Sequence, residues 1–286
     1  MKRPEHKQPE VPVHALDINQ FARLKDLFNR HGWPIEEDSD ISVYKKYYKT
    51  LLTLEKDQQD FLITLSDRLL HITIGDYLDN LINPLTELRN DSGNDNLIFI
   101  PCLPEEDAGK IKSATTVLYQ LKGSSIKSKV NIAPSFVPEN ITADTFSPLE
   151  KLSNYQIVLV DDFIGTGETA VGAVSYLLKL APFIPKERIK VLSIVAMEKG
   201  INELKNIDIK TYCNYVLNRA ISDFYKDKEL ANAIQMMEGI ETRIKKLKPE
   251  FHFGYKQSEA LVCMERCPNN TFPIYWKTAN VSPYER

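Results

Sequence analysis

At 286 residues and 43% hydrophobic content, the chain has material for one large domain or two smaller ones with a sizeable core. A formal charge of −3 argues against a nonspecific nucleic-acid binder, and no apolar run is long enough to span a bilayer. Four cysteines in this length imply no disulfide framework, and the opening MKRPEHKQPE lacks an apolar leader, so a cytoplasmic protein is expected.

Residues 1–11 are polar, carry Pro4 and Pro9, and read as a loose tail. Four amphipathic helices are expected next. The first, over 19–29, places Phe21, Leu24, Leu27 and Phe28 on one face. The second, over 43–54, carries Tyr44, Tyr47, Tyr48, Leu51 and Leu52, a stripe that reads as packing rather than a nucleobase platform. The third, over 58–70, carries Phe61, Leu62, Leu65 and Leu69. The fourth, over 74–88, carries Tyr77, Leu78, Leu81 and Leu85, with Pro84 expected to bend or interrupt it. Together they make an α-helical N-terminal module, 1–90, which offers a face to a protein partner.

A turn-rich break over 90–96 opens a second domain, 91–286. It starts with a buried strand over 97–100, a loop over 102–110 and an amphipathic helix over 111–121. A short strand is expected at 129–132, and 133–148 holds three prolines and no helical pattern. Later come a strand at 189–197, a helix at 200–206 and a strand at 210–217. Strands alternating with helices predict an α/β fold with a parallel sheet and right-handed crossovers. Residues 222–248 read as one or two helices whose basic end, Arg243 to Lys248, complements the helix dipole. Beyond Gly254 the pattern gives a strand over 260–263, a tight turn at Pro268-Asn269-Asn270 and an aromatic segment with Phe272, Tyr275 and Trp276. His71 and His252 read as structural, and Cys263-x3-Cys267 with Cys213 and His252 fits no common zinc-finger spacing.

The densest information lies at 156–169. Gln156 to Val160 is a short, β-branched, apolar run, as in a central parallel strand buried on both faces. Asp161 and Asp162 then fall at its carboxyl end, where open α/β sheets bind ligands. Two adjacent carboxylates there need hydroxyl or cation partners. Gly165 and Gly167 permit a tight turn, Thr166 and Thr169 add hydroxyls, and the amides opening the next helix suit an anion. A P-loop would need a lysine after Gly167, and a dinucleotide fingerprint would need a different final glycine and an acid some 20 residues later.

An apolar strand, two acids, three further residues and Thr-Gly-x-Thr resemble the signature of type I phosphoribosyltransferases. The resemblance implies a parallel-sheet phosphoribosyltransferase core with a C-terminal hood, about 221–286. It implies that Asp161 and Asp162 hold the ribose hydroxyls of phosphoribosyl pyrophosphate and a catalytic Mg²⁺. Gly165, Thr166, Gly167, Glu168 and Thr169 would wrap the 5′-phosphate. Many members have glycine where this chain has Glu168, so that side chain is expected to point outward. Members acting on 6-oxopurines carry an acid where this chain has Gly165, which turns the expectation away from hypoxanthine or guanine. Pyrophosphate would fall to the loop after the first sheet strand. There Gly109, Lys110 and Ser113 would bind while Glu105, Glu106 and Asp107 face water, or Mg²⁺ would bridge the acids. A mobile lid over 122–151 would bring Lys127 or Lys129 to the reaction. The Arg266 to Thr271 segment itself reads first as a turn that closes the fold; in the alternative, Asn269 and Asn270 bond a base edge and Phe272, Tyr275 or Trp276 stacks on it.

The signature loop, the Pro-Asn-Asn-Thr tail and the helical N-terminal module together resemble phosphoribosyltransferase-like proteins of bacterial conflict and phage-defence loci. Three functions are therefore expected in descending order. One is a Mg²⁺-dependent transferase acting on phosphoribosyl pyrophosphate or a related nucleotide. Another is a phosphoribosyl-nucleotide sensor gating a partner, and the third a defence effector that consumes nucleotides.

Overall fold

The computed structural model describes residues 14–93, 96–132, 135–137, 141–278, 281–284 and 286, so the tail expected at 1–11 lies outside the described residues. Helix α1 (Ile18–His31) starts at a capping box in which Asp17 accepts from the Gln20 amide. Helices α2 (Val43–Leu52) and α3 (Lys56–Ser66) follow, then a two-residue strand β1 (Leu70–His71). Helix α4 (Tyr77–Ser92) contains Pro84 without interruption. The chain then runs through β2 (Asn96–Pro101), α5 (Ser113–Leu121), α6 (Ser124–Val130), β3 (Ser135–Phe136) and α7 (Ala143–Phe146). It continues with β4 (Tyr155–Ile164), α8 (Glu168–Leu180), β5 (Ile189–Met197), α9 (Glu198–Lys205), β6 (Lys210–Leu217), α10 (Asp227–Glu241) and β7 (Val262–Cys263).

Five strands form one parallel sheet in the order β3-β2-β4-β5-β6. The fold is thus the expected parallel α/β type. Alternation along β4 explains its central place: Val158 and Val160 enter one core with α4, α5 and α6, while Ile157 and Leu159 enter another with α7, α8 and α9. The chain steps outward from β2 to β3 and then returns to lay β4 on the other side of β2. That reversal puts a topological switch point between β2 and β4, where ligands of such sheets bind.

Residue-level expectations shift in three places. The strand expected at 129–132 is the end of α6, and the strand pairing with β2 is β3 instead. Ile126 and Val130, one helical turn apart, both bury into the core beside α4, and that tertiary contact overrides the β-branched local pattern. The 133–148 segment, expected to lack helix, includes α7. The packing also divides elsewhere than at residue 90. Helices α1–α3 share a core with α10 and with Phe272, Tyr275 and Trp276, whereas Leu81, Leu85 and Leu88 of α4 lie on the sheet. Residues 260–264 join the two lobes by simple alternation. Ala260, Val262 and Met264 face the sheet core, while Leu261 and Cys263 face the helical core. Strand β7 there pairs in parallel with β1, fixing the hood to the helical lobe. Among the described residues no helix is long and apolar enough to cross a membrane.

Candidate functional site

Strand β4 outlasts its neighbour. Its pairing with β2 ends at Pro101↔Val160 but continues with β5 to Ile164↔Ala196, so Asp161 and Asp162 emerge inside a strand rather than after it. They are only 7% and 6% exposed. Ser113, opening α5, donates from its hydroxyl to Asp161 Oδ1 at 2.7 Å, and the Asp162 amide donates to the same oxygen at 2.9 Å. Tyr77, opening α4, donates its phenol to Asp162 Oδ2 at 2.8 Å. Among the described residues no hydroxyl or amide donates to Asp161 Oδ2 or Asp162 Oδ1.

Burial pushes the Asp161 carboxyl well above its usual range, and the adjacent Asp162 charge pushes it further. Burial and then Asp162 push the Tyr77 phenol up as well. Two buried carboxylates with one open oxygen each fit a hard divalent cation or vicinal sugar hydroxyls, either of which relieves the repulsion.

The turn that follows depends on its glycines. A Cβ on Gly165 would stand 2.5 Å from Cγ of Asn270. Gly167 has φ +87°, and its Cβ would meet the Gly200 carbonyl oxygen at 3.1 Å. Gly167 caps α8 without a side-chain hydrogen bond, so the first amides of this 13-residue helix stay available to an anion. The Glu168 side chain turns to the hood, where Lys256 Nζ lies 2.6 Å away and the Tyr255 hydroxyl 3.4 Å. That pairing, Lys256 first, holds the Glu168 carboxyl below its usual range.

A cleft runs through these parts in two connected halves. One, about 340 Å³, is lined by Gly165 to Ala170 with Asn269 and Asn270. The other, about 440 Å³, is lined by Asp162, Tyr77, Lys112, Ser113, Arg266 and Arg286 among others. Asp161, Thr169, Asn269 and Asn270 border both halves. Asn270 is tied down by its backbone carbonyl, which accepts from Ser258 Oγ at 2.9 Å and from the Ala260 amide at 3.1 Å.

Other expected site residues fall elsewhere. Gly109 and Lys110 do not line either half, and Lys110 pairs with Asp107 at 2.9 Å. Ser113 does line the cleft, but through its bond to Asp161. Lys127 and Lys129 ride on α6 rather than on a loop. Lys129 pairs with Asp79 of α4 at 3.0 Å, and Lys127 sits 5.8 Å from the Phe136 ring centre. Of the two readings of the tail, the closing turn holds and stacking does not: Phe272 and Tyr275 are 0% exposed and Trp276 is 7% exposed, all packed in the helical core. Tyr77, Lys112, Arg266 and Arg286 gave no local signal of a site. Tyr77 in particular carries the periodicity of a core residue, and its ring is one; only its hydroxyl reaches Asp162.

The PRTase-CE family profile matches residues 55–285. The chain belongs to the PRTase-CE family. That phosphoribosyltransferase-like assignment covers the sheet, the cleft apart from Arg286, and α3 and α10 of the helical lobe but not α1 or α2, so the family unit runs across the expected boundary at residue 90. No curated protein sequence matches this PRTase-CE chain. Among solved structures, the orotate phosphoribosyltransferase from Aeropyrum pernix aligns at 10% identity with a TM-score of 0.28, covering 50% of this chain and 72% of that one. The AQ2163 protein from Aquifex aeolicus aligns at 10% identity with a TM-score of 0.31, covering 71% and 86%.

Proposed function

We propose that this PRTase-CE protein is a Mg²⁺-dependent phosphoribosyltransferase that takes phosphoribosyl pyrophosphate in the switch-point cleft. One observation carries the reading: a buried Asp161–Asp162 pair with open oxygens leads directly into a glycine turn and an uncapped helix N-terminus. The loop from Gly165 to Thr169 holds the 5′-phosphate through backbone amides and the two threonine hydroxyls. Asp161 and Asp162 hold the ribose hydroxyls and carry the cation, while Ser113 and Tyr77 keep both carboxyl groups in place. A Mg²⁺ bound there supplies positive charge to the departing pyrophosphate. The bond from the anomeric carbon to the pyrophosphate oxygen breaks with its electron pair on that oxygen. The acceptor forms the new bond to the anomeric carbon and gives up a proton to water. The protein's contribution is positioning and charge stabilisation rather than covalent chemistry.

A second reading, a sensor or effector that binds the same ligand and signals through the helical lobe, is favoured by a different observation. Neither Lys127 nor Lys129 lines the cleft, and the aromatic segment that would hold a base is buried. The resemblance to conflict and phage-defence proteins would place such a module in anti-phage defence, with a protein partner on α1–α3.

Calorimetric titration of phosphoribosyl pyrophosphate with Mg²⁺, with pyrophosphate release followed across a nucleobase panel, tests both. Binding that Asp161→Asn/Asp162→Asn weakens at least about 100-fold, equivalent to roughly 2.7 kcal/mol, is expected. Release in the wild type supports the transferase, and binding without release supports the sensor. A wild type that binds nothing sinks both.

A further inference from the structure

Across the carboxylate pair from the phosphate loop, the larger half of the cleft has no glycine turn. It has guanidinium groups instead. Arg266 and Arg286 line this half and not the other. Arg266 belongs to the same hood turn as Asn269 and Asn270, and Arg286 is braced with its guanidinium carbon 5.9 Å from the centre of the Trp276 ring. No ion pair joins either one to an acid among the described residues. The remaining cations around the first-strand loop are already engaged: Lys110 and Lys112 with Asp107 at 2.9 and 3.0 Å, Lys179 with Glu105 at 2.5 Å. Both arginines are exposed to solvent at the border of this same half, and desolvation by the surrounding protein followed by the Arg266 charge holds Arg286 below its ordinary range.

Two neighbouring unpaired guanidiniums repel unless an anion joins them. Their planar forks match the oxygens of phosphate or carboxylate in pairs, which an ammonium does not. A flat base would ask for a ring face, and Phe272, Tyr275 and Trp276 of the hood are buried in the helical core while Tyr255 lines only the other half. We infer that Arg266 and Arg286 form a second anion subsite for a phosphate-type oxyanion, so that one ligand assembly spans from the Gly165–Thr169 loop over Asp161 and Asp162 to the hood. The assignment rests on the phosphoribosyl reading only for what fills the first subsite. The oxyanion has two possible sources, the diphosphate end of the donor or an anionic group on the acceptor.

The test titrates ribose 5-phosphate, inorganic pyrophosphate and phosphoribosyl pyrophosphate, each with Mg²⁺, into wild type, Arg266→Gln and Arg286→Gln. Melting curves confirm that the variants are folded. Ribose 5-phosphate binding should hold within about twofold, while pyrophosphate binding should weaken roughly 10- to 100-fold. Arg266→Lys should recover only part of the loss, because it keeps the charge and loses the fork. An equal loss for phosphoribosyl pyrophosphate assigns the subsite to the donor. If instead inorganic phosphate binds to wild type already saturated with the donor, and the variants lose that binding, the subsite belongs to an acceptor. Variants that bind every probe as wild type does, or that lose ribose 5-phosphate as strongly as pyrophosphate, overturn the inference. Failure of ribose 5-phosphate to bind wild type, with pyrophosphate binding still arginine-dependent, removes the phosphoribosyl reading and leaves the subsite standing.

Discussion

Two loops leave the carboxyl ends of neighbouring parallel strands, and they are built on opposite principles. The loop after β4 uses backbone: two glycines, an uncapped helix and a Glu168 turned away to Lys256. The loop after β2 is rich in side-chain charge, yet Glu105 and Asp107 hold Lys179, Lys110 and Lys112 in ion pairs of their own. An anion site made of backbone is determined by local sequence, because turn geometry needs particular residues. A site made of side-chain charge is determined by which partner each charge finds in the fold.

The largest expected effect on the phosphate loop breaks the backbone side of that contrast. In Gly165→Ala the new methyl meets the Asn270 side chain at 2.5 Å, and Asn270 is anchored through its own backbone to Ser258 and Ala260. Overpacking of this kind costs about 1–3 kcal/mol. Ribose 5-phosphate affinity should fall roughly 10- to 100-fold, a range that corresponds to about 1.4–2.7 kcal/mol. Adding Asn270→Ala removes the clashing atoms and should restore binding toward that of Asn270→Ala alone. A double variant no better than Gly165→Ala would mean that the loop fails for another reason.

The same contrast explains what was legible in the sequence. The strand, the acids and the turn of 156–169 were readable because burial on both faces, carboxylate desolvation and positive φ each demand specific residue types. Strands β4, β5 and β6 were readable from their apolar runs alternating with helices. Strand β3 was not readable: its two residues carry no pattern, while Val130 and Ile132 looked like strand until α4 gave Ile126 and Val130 a helical partner surface. A closing turn and a base platform were both open for Tyr275 and Trp276 because exposure cannot be read from aromaticity; α1–α3 cover them, which decides for the closing turn. Arg266 and Arg286 reach one cleft only because the hood folds back over the sheet.

Tyr77→Phe probes a middle case, a side chain that sequence places in the core and the fold carries to the acids. Phenylalanine keeps the packing and removes the donor to Asp162. A lost hydrogen bond to a charged group costs roughly 1.5–3 kcal/mol, to be read as a lowered unfolding midpoint together with weaker Mg²⁺-dependent binding. Unchanged Mg²⁺ dependence would reduce Tyr77 to packing.

A smaller effect concerns the hood strap that supplies Lys256 to Glu168. Its start is held by Glu241, whose buried carboxyl accepts from His252 Nδ1 and the Phe253 amide, each at 2.9 Å. Burial raises that carboxyl from 4.5 to about 6. A folded pKa above the unfolded one means that the stabilisation is full below about pH 4.5 and is lost as pH rises through about 6. The span is on the order of 2 kcal/mol. Glu241→Gln should flatten the melting temperature against pH across that window, and a profile as steep as wild type would place the titration elsewhere.

The smallest effect sharpens the comparison most, because the two accounts of the loop after β2 predict opposite signs. If Asp107 merely neutralises Lys110 and Lys112, then Asp107→Asn frees both ammonium groups beside a cleft that Lys112 already lines. Exposed pairs are worth under about 1 kcal/mol, so pyrophosphate should bind only a few-fold more tightly, and 0.5 M salt should erase the gain. If instead the acids of this loop carry pyrophosphate through a bridging Mg²⁺, the same substitution removes a ligand and binding weakens whenever Mg²⁺ is present. Titration of pyrophosphate into Asp107→Asn with Mg²⁺ and with EDTA separates the two by sign alone. The lysine pairing already present, with both ammonium groups on the one Asp107 carboxylate, favours the gain.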